Sequence, residues 1–324
     1  MRYVIYGAGA VGGGIGVKLH QAGKDVVLIA RGEHLRVMQT EGLRVRSPRE
    51  DVRVPVKAVA SPVEVDWRGD EVVLLTMKTQ DTVGALEALR EAAGSRVPVL
   101  CAQNGVENER MAARRFERVY ATLVQMPTTH LVPGEVQLFG GSSWGNLDTC
   151  VYPSGVDAIA EQFCRDTNEA GFESLADPLA LEQKYAKLIF NLNNIAQALF
   201  TSKDDPTELV RVLRREGEAA LRAAGISWTP PERARQTNFV YGEIPGLKRE
   251  GGSTWQSVVT GRSLETDYLN GEIVLLGRLH GIPTPANATM LDIAAQTAAE
   301  RRQPGWITPD ECLRRIAQRN SMPT

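Results

Sequence analysis

Close to the amino terminus, Gly7-Ala8-Gly9-Ala10-Val11-Gly12 sets three glycines at the spacing GxGxxG. Between an apolar strand and a helix, such a turn lets backbone amides approach a pyrophosphate, with the positive end of the helix dipole facing its charge. A side chain at the point of closest approach would block it. Gly7, Ala8, Gly9, Ala10, Val11 and Gly12 are therefore candidate contacts to a dinucleotide, although a flexible turn can carry the same spacing. The end of the next strand discriminates between dinucleotides, because an acidic residue there bonds the ribose hydroxyls and repels an added phosphate. This chain has Arg31 instead. Its planar fork of donors suits a phosphate and favours NADPH; a surface loop arginine would look the same.

Other residues fall where ligands of open parallel sheets bind, at the carboxyl ends of strands. Lys78 follows the apolar run at residues 71–76, and Asn104 follows the run at 97–102. A solvated loop lysine and an Asn-Gly turn are the structural alternatives. Farther on, Lys184, Lys187, Asn191 and Asn194 recur at intervals of three, four and three residues. At about 100° per residue they make one polar stripe on a helix. Polar stripes commonly face water, but the helix is otherwise rich in Leu, Ile, Phe and Ala. A lysine beside a nicotinamide could donate a proton to a carbonyl oxygen, with the asparagines orienting the substrate. Ser253-Thr254-Trp255-Gln256 fits a capping box, in which serine and glutamine satisfy the first amides of a helix. Residues 264–271 read as helical and add Glu265 and Asp267, either of which could face a ligand hydroxyl or the solvent.

The elements that must position these residues follow from periodicity. Residues 3–6 suit a buried strand, residues 15–20 a helix and residues 25–30 a second strand, which together make one right-handed βαβ unit. Gly13, Gly14 and Gly16 cost the helix stability and point to close packing on the sheet. Strands at 71–76 and 97–102 flank a helix at 82–93, so the pattern is a doubly wound, mostly parallel α/β sheet. Residues 119–150 are strand-like and turn-rich, 156–170 helical, and 172–175 suit a last strand. From Asp177-Pro178, an N-cap followed by proline, helical spacing dominates, with breaks at Pro206, Pro230-Pro231, Gly251-Gly252 and residues 281–285. The expected division is a dinucleotide-binding domain at residues 1–176 and a helical substrate-binding and catalytic domain at 177–324.

Composition narrows the partners. The chain of 324 residues is long enough for two cores, and 37 basic against 39 acidic residues, without charge runs, argue against nucleic acid. Four cysteines without CxxC spacing and four histidines suggest neither a disulfide framework nor a metal site. No secretory signal or membrane-length apolar run is read, so a soluble, cytoplasmic protein with no membrane partner is expected. A homodimer is open to it.

Taken together, the glycine turn, Arg31, Met77-Lys78, Gln103-Asn104-Gly105, Lys187-Leu188-Ile189-Phe190-Asn191, Leu264-Glu265-Thr266-Asp267-Tyr268 and Gly281-Ile282-Pro283-Thr284-Pro285 resemble the ketopantoate reductase (2-dehydropantoate 2-reductase) family in order and spacing along nearly the whole chain. The resemblance implies a Rossmann domain, a helical carboxyl-terminal domain and an active site in the cleft between them. There NADPH reduces 2-dehydropantoate, a small keto acid, to pantoate for pantothenate and coenzyme A. It implies Lys187 as general acid and Glu265 as the carboxylate that contacts the lysine or a substrate hydroxyl. Ser253, Asn104, Asn191 and Asn194 would bind substrate, and Arg31 and Lys78 the cofactor. Two departures stand out. Many members carry a second asparagine four residues after the first, where this chain has Ile195, and an aspartate where Ser257 follows Gln256. The segment at residues 140–155 is also unusual for the family. A reductase of another 2-keto acid, and a non-catalytic NADPH-binding sensor, are the alternatives.

Overall fold

The computed structural model describes residues 1–235, 237–247 and 251–321. The chain divides into two compact units, Met1–Lys184 with Glu232–Arg249, and Tyr185–Pro231 with Glu250–Thr324. Among the described residues, no helix is long and apolar enough to cross a membrane.

In chain order the first unit runs β1 (Arg2–Tyr6), α1 (Ala10–Gln21), β2 (Val26–Ile29), α2 (Gly32–Glu41), β3 (Leu43–Arg46), β4 (Asp51–Val54), β5 (Lys57–Val59), β6 (Glu71–Leu75), α3 (Thr82–Ala93), β7 (Val99–Cys101), α4 (Glu107–Ala113), β8 (Val119–Thr122), β9 (Thr128–Thr129), β10 (Glu135–Leu138), β11 (Thr149–Val151) and α5 (Ala158–Glu169). Among the described residues, seven strands form one sheet in the order β11-β8-β7-β6-β1-β2-β5. All neighbours are parallel except β11, which runs antiparallel to β8. The order reverses at β1, where Val4 pairs with Val27 on one side and Val73 on the other. Ligands of doubly wound sheets bind at such a switch point. β1, β2, β6 and β7 are buried along their whole length, as helices on both faces require.

A second, four-stranded sheet, β4-β3-β10-β9, was not expected from the sequence. It pairs β3 with β10 in parallel across a long sequence separation. Helix α1 packs against it as well as against the main sheet, and this accounts for its glycines. A Cβ at Gly16 would overlap Leu28, one at Gly13 would lie 2.9 Å from Val136 Cγ1, and one at Gly14 2.8 Å from Leu138 Cδ2.

The last strand expected at 172–175 does not form; Glu173 and Ala176 make only isolated bridges to Asn146 and Thr149. The Leu175 amide, which a continuous ladder would use, instead donates to the Asp148 carboxylate at 2.9 Å. Asp148 is fully buried and also takes a two-pronged contact from Arg235 at 2.9 and 3.1 Å. That ion pair fastens the segment Glu232–Arg249 to the first unit.

Helix α6 (Ala180–Asn191) opens after Asp177, whose carboxylate accepts from the Leu179 amide at 2.9 Å. The division between units falls inside it. Lys184 is held in the first unit by the Cys101 carbonyl oxygen at 3.0 Å and by the Glu109 carboxylate. The second unit continues with α7 (Asn194–Leu199), α8 (Thr207–Ala223), α9 (Ser253–Val259), α10 (Asn270–His280), α11 (Pro285–Ala299) and α12 (Pro309–Ser321). Leu209, Leu213, Gly217, Ala220 and Leu221 make the buried stripe of α8. A Cβ at Gly217 would come within 2.8 Å of Ile189 and Leu192, so α8 and α6 pack at close range.

Candidate functional site

The glycine turn is anchored before it presents anything. The amides of Gly7 and Ala8 both donate to the Ile29 carbonyl oxygen, at 3.1 and 3.0 Å, tying the turn to the end of β2. Thr76 Oγ1 donates to the Gly7 oxygen at 2.9 Å from the end of β6. Gly7 sits at φ +101, and a Cβ there would lie 2.7 Å from the Met77 amide nitrogen. Gly12 has no room either, since a Cβ would overlap Thr76 Oγ1. Gly9 differs, for a Cβ there meets nothing within 4 Å. No internal packing demands glycine at this position, and the space in front of it is open to an approaching group.

The start of α1 behind Gly9 is electrostatically incomplete. Gly9 is its N-cap, no side chain caps it, and its first turn holds no acidic residue. By contrast, the Asp157 carboxylate accepts from the Ile159 and Ala160 amides at the start of α5. Free amides at a helix start favour an anion. The turn therefore fits a dinucleotide pyrophosphate both sterically and electrically. Arg31 lies just beyond β2, exposed, at the N-cap of α2.

Lys78 follows β6 in extended conformation and is half-buried. Asn104 follows β7, with Gly105 at φ +76. A buried network joins these two strand ends. Gln103 Nε2 donates to the Met77 oxygen at 2.9 Å and to Thr82 Oγ1 at 2.8 Å. Asn108 Nδ2 donates to the Asn104 oxygen at 3.0 Å, and Asn108 Oδ1 accepts from Thr82 at 2.8 Å. Gln103 Oε1 is buried with no partner among the described residues. Gln103 and Asn108 were missed as candidates; for Gln103 a polar residue soon after a buried strand was the available signal, and Asn108 lies inside α4 with none.

In the second unit the proposed stripe is only partly kept. Lys187 is half-buried and Asn191 is buried on the same helix, so this face is not simply solvated. Lys184 is taken up in the buried ion pair with Glu109, whose carboxyl burial pushes up against the pull of the lysine. Asn194 does not continue the stripe. The helix ends with a tightened step, from the Asn193 amide to the Phe190 oxygen, and Asn194 opens α7 in a new phase. Ile195, where many family members have asparagine, is 1% exposed and belongs to the core. Asn193, not anticipated, is buried with its Oδ1 lacking a partner among the described residues. Its position off the helical repeat hid it.

The break is fixed from outside the helix. Asn270 Nδ2 donates to the Leu192 oxygen at 3.2 Å and to Asn287 Oδ1 at 3.0 Å. The Glu216 carboxylate in turn accepts from the Ala286 and Asn287 amides at 2.8 and 2.9 Å, capping α11. Asn270 follows the residues that carry Glu265. The helix expected over 264–271 is instead a short 3-10 turn, Thr266–Tyr268, with Glu265 half-buried at its start and a break at Leu269. The capping box at Ser253 is also corrected. Gly252 is the N-cap of α9, no side chain caps it, and Ser253 is exposed one position inside the helix.

Two family models match the chain. One, described as ketopantoate reductase PanE/ApbA, matches residues 3–147, and the other, its C-terminal counterpart, matches 182–298. A 2-dehydropantoate 2-reductase of Pyrococcus horikoshii is 27% identical over 298 residues, 89% of this chain and 94% of that protein. The crystal structure of a PanE/ApbA family ketopantoate reductase from Ralstonia eutropha is 30% identical, with TM-score 0.76, over 93% of this chain and 99% of that one. A D-mandelate dehydrogenase solved with NADH and anilino(oxo)acetate, 23% identical, shares the fold at TM-score 0.78 over 93% of this chain and 99% of that one.

Proposed function

Because this chain belongs to the ketopantoate reductase family, we propose that it reduces 2-dehydropantoate to pantoate with NADPH, in pantothenate and coenzyme A biosynthesis, with Lys187 as the proton donor. The observation that carries the reading is the open, uncapped helix start behind Gly9, in a chain whose Lys187 shares a helix face with a buried Asn191.

The turn from Gly7 to Gly12 holds the pyrophosphate through the amides left at the start of α1 beyond Gly9, Arg31 pairs with the ribose phosphate, and Lys78 and Asn104 contact the cofactor at the strand ends. When bound, NADPH supplies the hydride to the C2 carbonyl carbon. The Lys187 ammonium hydrogen-bonds the carbonyl oxygen and gives it a proton as negative charge develops there. Glu265 contacts and orients that lysine, or accepts from the substrate hydroxyl. Asn104, Asn191, Asn194 and Ser253 hold the keto acid.

The test is Lys187→Ala. Turnover of 2-dehydropantoate is expected to fall by about 10²–10⁴, while the NADPH dissociation constant stays near that of the wild type. Unchanged turnover removes Lys187 from the mechanism. One observation favours a second reading, a reductase of another 2-keto acid: Ile195 fills core volume where many family members present an amide. Turnover of a different keto acid, with none of 2-dehydropantoate, selects it. NADPH binding without reduction of any carbonyl selects a sensor.

A further inference from the structure

His34 lies in the first turn of α2, three residues after Arg31, and both its ring nitrogens are engaged. Nδ1 is 2.8 Å from the Gly134 amide nitrogen, which can only donate. Nε2 is 2.7 Å from the Ala8 carbonyl oxygen, which can only accept. The two partners therefore dictate one neutral tautomer, with the proton on Nε2 donated to Ala8.

Each partner is itself fixed. Gly134 sits at φ +73 with no space for a Cβ against Val37 of α2, and its carbonyl oxygen accepts from the Arg44 amide at 2.8 Å. The His130 ring lies 4.1 Å from His34, and its Nδ1 is 3.0 Å from the Glu135 oxygen. At the other end, the peptide joining Ala8 to Gly9 is planar, so holding its carbonyl also sets the opposite edge, the Gly9 amide. That amide turns inward to the Gly7 oxygen at 2.7 Å, which fixes the path of the chain into the start of α1.

We propose that His34 is a positioning residue of the cofactor site, which locks the Ala8 carbonyl to the second sheet through Gly134 and so pre-sets the pyrophosphate-facing turn and the Arg31 turn relative to each other. This rests on the dinucleotide reading of the turn. His34 does not contact the reacting atoms, so its loss acts on dinucleotide affinity and leaves the chemical step alone.

The experiment compares wild type, His34→Phe and His34→Gln. Phenylalanine keeps the ring and its packing but makes neither bond, whereas glutamine offers a neutral donor and acceptor. Removing one or two such bonds corresponds to about a five- to fiftyfold change in equilibrium constant. The NADPH dissociation constant and KM are expected to rise by that order in His34→Phe. In the same variant kcat at saturating NADPH changes less than about twofold, and in His34→Gln most of the affinity returns. Long-range nitrogen NMR of the wild-type imidazole should show protonated Nε2 and bare Nδ1. Wild-type affinity in His34→Phe, or the opposite tautomer, overturns the proposal. A folded wild type that binds no dinucleotide overturns the reading of the turn itself, and this inference with it. Should His34→Phe fail to fold, the tautomer and the affinity of His34→Gln decide.

Discussion

Replacing Gly9 with alanine separates binding from folding. The new methyl meets nothing within 4 Å, and the backbone there, at φ −77 and ψ −145, lies at the edge of the extended region. The cost to the fold is of order 1 kcal/mol, a fall in thermal midpoint of about 2–4 °C. Gly12→Ala is the control. Its methyl would overlap Thr76 Oγ1 and lie 2.6 Å from the Gly7 carbonyl oxygen, itself held by Thr76. Neither can retreat without loosening the turn, so overpacking should cost about 1–3 kcal/mol or more. Toward a dinucleotide the order reverses. The Gly9 methyl occupies the approach side of the turn, and one or two charge-assisted hydrogen bonds at about 1.5–3 kcal/mol each are lost. The NADPH dissociation constant should then rise by roughly ten- to several hundredfold. Calorimetric titration with NADPH, alongside thermal melts of wild type, Gly9→Ala and Gly12→Ala, reads both effects. Wild-type affinity in Gly9→Ala, or a loss of stability matching that of Gly12→Ala, would refute the assignment of the open space to the cofactor.

Two further outcomes concern stability. Burial alone would raise the Asp166 carboxyl, but hydrogen bonds from Lys24, Tyr3 and Gln162 outweigh it and hold the group below its ordinary value. Its contribution, about 1–3 kcal/mol, is thus present above the unfolded carboxyl range and lost as pH falls through the folded value. Urea midpoints should drop on acidification in the wild type, while Asp166→Asn should start lower at neutral pH and fall less; parallel curves would contradict this. Arg235→Ala strands the Asp148 carboxyl, which burial already pushes up despite the arginine, and should destabilise by about 3–5 kcal/mol. Adding Asp148→Asn should recover part of that loss in a denaturation cycle; strict additivity would show that the pair is not coupled.

The parts of the fold that read directly from the residues are those set by local patterns. The apolar runs of β1, β2, β6 and β7, the glycines of α1 and the helix Thr82–Ala93 declare themselves within one window. The second sheet does not, because β3 and β10 pair across a long stretch of the first unit and each is only four residues long. The break after Asn191 is equally non-local. No proline or glycine marks it, and Asn270, far along the chain, caps the Leu192 carbonyl. The return of the segment that carries Arg235 to the first unit is non-local too, made by Arg235 on Asp148 and by backbone bonds such as Gly141 to Val240. On the cofactor side, the glycine turn between β1 and α1 was legible because backbone geometry acts through few residues. His34 was not, since Ala8 and Gly134 meet it through backbone groups that carry no sequence signature.

The central claim is that this chain transfers hydride from NADPH to 2-dehydropantoate. The most direct measurement follows consumption of reduced cofactor together with the product formed, using NADPH and NADH in parallel and other 2-keto acids as competitors. The account predicts one pantoate per NADPH consumed, with kcat/KM highest for the pair NADPH and 2-dehydropantoate. Cofactor that binds but is not oxidised by 2-dehydropantoate, or a higher kcat/KM for another keto acid, would contradict it.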